Sequence, residues 1–127
     1  MAVVVTETNI TARNAITTVT SNPATADTDA LAEVFTIETD SASLLIIIGG
    51  TGSSAVADMS YSFAVGQFWN KELITGTVTK DTEKVICVDT ANCKQINGTI
   101  LLTLTPGSSD KLLTDHGAYV KVIENVG

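Results

Sequence analysis

Residues 83–106 read EKVICVDTANCKQINGTILLTLTP, and this stretch decides the fold. At its centre Asn97-Gly98 is flanked by Lys94-Gln95-Ile96 and by Thr99-Ile100-Leu101. Asn-Gly tolerates positive φ at both positions, which suits the two-residue type I′ turn whose twist matches that of paired strands. Downstream, Ile100, Leu102 and Leu104 alternate with Leu101, Thr103 and Thr105. Upstream, Val85 and Cys87 share one face, Ile86 and Val88 the other. A period of two on both sides predicts consecutive antiparallel strands. The stretch carries no catalytic group.

Outward from it the same period recurs. Phe35 and Ile37 alternate with Thr36 and Glu38 over 33–39. Met59, Tyr61, Phe63 and Val65 alternate with Ser60, Ser62 and Ala64 over 58–65. Further strands are predicted at 73–79, 83–88, 93–96, 99–105 and 118–124, the last with either Val120 and Val122 or Tyr119 and Ile123 inward. Residues 44–48 are continuously apolar, the pattern of a central strand covered on both faces. Pro106-Gly107 breaks the chain, and 109–115 is expected to make one helical turn, capped by Ser109 and stopped at Gly117. The fold class is all-β: a single antiparallel β-sandwich or barrel-like domain of about eight strands, spanning 32–127. Residues 1–31, rich in Thr, Ala and Asn with Pro23 among them, are read as an extended N-terminal arm. Short strands are expected there at 3–5 and 16–20, one of them an edge strand. The arm is either loosely held or becomes ordered by adding to a neighbouring subunit.

Composition bounds the function. A length of 127 residues supports one domain with a real core. Threonine is roughly a sixth of the chain, and β-branched residues favour pleated surfaces. The net charge is −7, and Arg13 is the one arginine among seven scattered basic residues. Nucleic-acid binding needs a clustered basic face, so no nucleic-acid partner is expected. The first ten residues lack a basic n-region, and 44–50 is far short of the roughly twenty residues of a membrane span. No membrane partner is expected, and synthesis in a cytoplasm is.

The motifs with chemical potential each have a simpler reading. Gly50-Thr51-Gly52-Ser53-Ser54-Ala55 fits the G-x-G-x-x-A form of a dinucleotide turn, but the period-two segment after it offers no helix start for a pyrophosphate. It reads as a hairpin loop. His116 has no nucleophile-elbow serine to serve and reads as a surface residue. Asp27-Thr28-Asp29 is a fragment of a calcium loop without its glycine and distal Glu, and with Asp40 and Asp58 it reads as solvated acidic surface. Asn9-Ile10-Thr11 and Asn97-Gly98-Thr99 match the glycosylation triplet, which matters only on secretion. Cys87 and Cys93 read as two reduced, buried core residues, with a disulfide across a reversal at 89–92 as the alternative. A metal site would need more than two thiols and a distant histidine. The chain is read as no enzyme, with no cofactor and no metal. Candidate contact residues are Val3, Val4, Val5 and Ile10 on the arm, and Phe68 and Trp69 in the 66–71 loop. The two aromatics either cap an open end of the sandwich or anchor an interface.

In order and spacing, residues 32–124 resemble the small β-sandwich decoration, or head auxiliary, proteins of tailed-bacteriophage capsids. The resemblance lies in the succession VFTIET, LLIIIGG, MSYSFAVG, ITGTVTKDTEKVICVD and ANCKQINGTILLTLT, and in the Met-Ala start with a Thr/Asn-rich head. It implies a structural, non-enzymatic role: a homo-oligomer, with a trimer favoured, binding the major capsid protein on the outer shell and clamping neighbouring capsomers. It also implies a place in the virion, at the capsid surface, after synthesis in the host cytoplasm. The alternatives are a cell-surface or fibre β-module, and a small carbohydrate-binding β-sandwich using Phe68, Trp69 and Tyr61.

Overall fold

A computed structural model of the chain describes residues 2–10, 18–25, 32–39, 43–50, 58–66, 74–79, 82–90, 93–107, 112–114 and 116–125. These form ten strands, with no helix among the described residues. The first three strands are short: β1 (Ala2–Val4), β2 (Thr8–Ile10) and β3 (Asn22–Pro23). The longer ones follow the predicted alternation. They are β4 (Glu33–Glu38), β5 (Ser43–Gly50), β6 (Met59–Phe63) and β7 (Ile74–Val78). After these come β8 (Glu83–Asp89), β9 (Thr99–Thr105) and β10 (Ala118–Asn125).

Sheet I runs β1-β4-β9-β6-β7, and sheet II runs β2-β10-β5-β8 with β3 also paired to β10. The inward residues of both sheets form one core, a sandwich-like arrangement. Sheet I contributes Phe35, Ile37, Phe63, Leu102 and Leu104; sheet II contributes Leu44, Ile46, Ile48, Val120 and Val122. Each such side chain stabilises the fold by about 1.5–3 kcal/mol on leaving water. The last strand thus settles its two options, with Val120 and Val122 inward.

Several expectations are corrected. There are ten strands instead of about eight, and the sheets are mixed instead of purely antiparallel. The parallel pairs come from the first ten residues, and the count changes because β1, β2 and β3 are added while 93–96 forms no strand. β1 runs parallel to β4, the chain then crosses at 5–7, and β2 runs parallel to β10. One continuous stretch thus borders both sheets, beside β4 in one and beside β10 in the other. Val5 is buried at the crossing, and its N–H donates to the Thr36 carbonyl. Asn22 secures the crossing from β3: its amide donates to the Thr6 and Val120 carbonyls and accepts from the Thr6 N–H. Residues 18–20 are in no strand, and 16–17 lie outside the described residues.

Residues 93–96 are no strand either. Lys94 makes a single bridge to Ile100, the Gly98 N–H donates to the Gln95 carbonyl, and the Gln95 N–H donates to the Thr99 carbonyl. Gly98 takes a left-handed conformation (φ 86°), and the Gln95–Thr99 closure leaves a loop of three residues, 96–98, where two were predicted. Beyond β9, the Ala118 N–H donates to Leu113 and the Gly117 N–H to Thr114, with Gly117 at φ 63°. This is a Schellman closure at the predicted stop; Ser109 lies outside the described residues.

At the opposite border, Lys84 of β8 donates to the Thr77 carbonyl of β7 and its ammonium lies 5.6 Å from the Tyr61 ring centre. Tyr61 covers Gly76 on the neighbouring strand, where a Cβ would lie 2.4 Å from its hydroxyl oxygen. The aromatic fills the space that the glycine leaves.

Candidate functional site

The 44–48 run was expected to be covered on both faces. Its inner face, Leu44, Ile46 and Ile48, is buried, whereas Leu45 is 41% exposed and Ile47 half-exposed. The reason is topological: sheet I packs on one side of β5, and the other side is the outer face of sheet II.

Register places the outward residues of β8, β5 and β10 in rows. Glu83, Gly49 and Tyr119 form the first row, Val85, Ile47 and Lys121 the second. Cys87, Leu45 and Ile123 form the third, and Asp89 with Ser43 ends the series. Val85 is 61% exposed, Cys87 is exposed, and Ile123 is half-exposed. The first row is flat because Tyr119 lies across Gly49: a Cβ there would come within 2.3 Å of the Tyr119 Cζ. The phenol donates to Glu83 Oε2 at 2.5 Å, Lys121 Nζ is 3.6 Å from the same oxygen, and it lies 5.1 Å from the Tyr119 ring centre. The outcome is a level apolar platform with one polar, charge-paired end.

The predicted contact residues fall in several places. Val4 points outward from β1 and is 75% exposed, Val3 is half-buried against the core, and Val5 is inside. Ile10 pairs through its backbone with Asn125 in β2. Phe68 and Trp69 lie outside the described residues, as do the 51–57 loop, Asp27, Asp29 and Asp40.

Two residues read as surface or as core are the reverse. His116 is buried; the Gly107 N–H donates to its Nε2 at 3.4 Å, which leaves Nδ1–H to donate to the Leu112 carbonyl at 2.7 Å. Both ring nitrogens are engaged, so the ring braces Gly107 and Leu112. Cys87 was expected to be buried and is exposed, because its face of β8 is the uncovered one. Cys93 is buried, and both thiols are free. Burial, with Asp89 adding to it, pushes the Cys93 thiol up to about 11.

Glu33, read from sequence only as part of an alternating strand, is wholly buried. Its carboxylate accepts from the Thr25 N–H at 3.1 Å and from the Thr25 hydroxyl at 2.7 Å. No local signal marks it, since its partner is eight residues away in sequence. An acidic groove of about 470 Å³ lies between Glu7, Glu38, Thr39, Asn97 and Glu124. The Glu7 side chain and the Thr39 hydroxyl, the latter at 2.5 Å, hydrogen-bond Glu124 and hold its carboxyl below the usual range. Among the described residues no three His, Cys, Asp or Glu side chains converge on a metal-sized site.

No protein-family model, curated protein or solved structure matches the chain.

Proposed function

We propose that the chain is a non-enzymatic structural protein of the phage capsid-decoration kind. In this reading it is a homotrimer that docks on the major capsid protein at the outer shell and clamps neighbouring capsomers. The observation that carries the reading is the position of the first ten residues. Among the described residues β1 and β2 are terminal strands of the two sheets, and Val4 presents an exposed apolar side chain beside the edge of β1 that has no strand partner among them. An edge strand offers a row of backbone donors and acceptors for strand addition, and apolar side chains beside it supply specificity. The resemblance in strand succession supports the same reading. The carbohydrate-binding alternative loses Tyr61, which is in the core, and Tyr119 is held by Glu83 and Lys121.

The test is the native mass of the purified full chain. A trimer of the 13.2 kDa chain has a mass of about 40 kDa. Val4→Asp is expected to weaken assembly while the monomer stays folded. A chain that forms no trimer at high concentration, with Val4→Asp indistinguishable from it, overturns the reading.

A further inference from the structure

The geometry points to the outer face of sheet II as a self-association surface. A second copy of this chain lies over it face to face, related by a two-fold axis parallel to the strands. The contact uses a surface apart from β1 and β2, and it does not rest on shell binding.

The platform has the form of half a sandwich. Val85, Ile47, Leu45, Cys87 and Ile123 present a level apolar surface of the kind that sheets bury against one another at about 10 Å separation. Three strands and four outward positions give a footprint of about 14 Å by 27 Å. That is roughly half of the ~800 Å² per partner of a standard interface, so the dimer dissociates on dilution.

Charge selects the occupant and its orientation. Glu83 stands on β8 at one side of the platform, and Lys121 on β10 at the other side, one row along. A two-fold axis along β5 lays the β10 of one copy over the β8 of the other and keeps the rows in step. Each Lys121 then sits over the other copy's Val85, beside its Glu83, and the pairing is made twice. Leu45 and Ile47 meet their own counterparts. An axis across the strands would instead set Glu83 over the other copy's Asp89 and press Lys121 onto Ile123 with no counter-charge. The surface is therefore complementary to itself in one orientation only. The net charge of −7 on each copy opposes association, but charges beyond about 8 Å are largely screened at physiological salt.

The two thiols supply the readout. Cys87 lies within the proposed contact on its β8 side, opposite the other copy's Ile123, whereas Cys93 is buried and serves as an internal control. Cys87 in the native chain is expected to react with a maleimide several-fold more slowly at high than at low protein concentration. Lys121→Glu and Glu83→Lys alone are each expected to abolish that protection, and so is Leu45→Glu, which fills no core space. A one-to-one mixture of Lys121→Glu with Glu83→Lys is expected to restore it, because the mixed pair carries opposite charges at both contacts. An effect confined to the internal Lys121–Glu83 pair gives no such rescue. Protection that never appears in the native chain overturns the inference, and so does a mixture that fails to restore it. A Cys87–Cys87 disulfide between copies under oxidising conditions also overturns it. The proposed axis sets those strands about 14 Å apart, beyond the 7 Å that a disulfide spans.

Discussion

At the scale of single residues, two cysteines six positions apart have opposite chemistry because one strand edge separates covered from uncovered faces. Cys87 is expected to label fast in the native monomer and Cys93 only on unfolding, which mass spectrometry after a short maleimide pulse reads directly. Cys93 also carries a pH signature. Its thiol ionises near 9 when unfolded and near 11 when folded. The folded state therefore retains its proton where the unfolded state loses it, and the stability present below pH 9 falls as pH rises toward 11. Denaturant melts across that window should slope downward more steeply for the native chain than for Cys93→Ala. An equal slope would show that the thiol is not desolvated. His116 is expected to matter for folding alone. His116→Ala leaves a cavity and unpairs the Gly107 N–H and the Leu112 carbonyl, a cost of about 2–4 kcal/mol in a urea melt. A melt within experimental error of the native one would contradict the brace.

At the scale of elements, the first ten residues connect both sheets, and Asn22 is the residue that fixes their crossing. Asn22→Ala orphans the Thr6 N–H and two carbonyls, an expected loss of about 2–3 kcal/mol and of roughly 10 °C in Tm. Removal of residues 1–10 is expected to lower Tm further, since it bares the edges of β4 and β10 and uncovers the core beside Val5. An unchanged melting temperature would mean that the strands rest on the sandwich without stabilising it. The long strands were legible in sequence because each buries one face and so must alternate. β4, β6 and β9 show this in Phe35/Ile37, Met59/Phe63 and Leu102/Leu104. The short strands were not, because three-residue segments such as Thr8–Ile10 are held by backbone pairing and carry too few side chains to show a period. β5 misled in the other direction. Five consecutive apolar residues read as a buried strand, yet Leu45 and Ile47 face outward, and this unexplained exposure is what marks the platform. The flattening of that platform by Tyr119 over Gly49 was invisible, since the pair meets only through the β5–β10 register.

At the scale of the whole molecule, a strongly acidic chain presents exposed Val4 on the edge strand β1 and an apolar platform on sheet II. With a net charge of −7, no retention of DNA is expected in a gel shift at physiological salt; micromolar affinity there would contradict the electrostatic argument. The proposed role is that of an oligomer on a shell. Its most direct test is co-sedimentation of the purified full chain with purified expanded phage shells across a concentration series. The expected result is saturable binding at a fixed ratio to the capsid protein, weakened by Val4→Asp and by removal of residues 1–10. A chain that stays in the supernatant at every concentration, with shells present in excess, would contradict it.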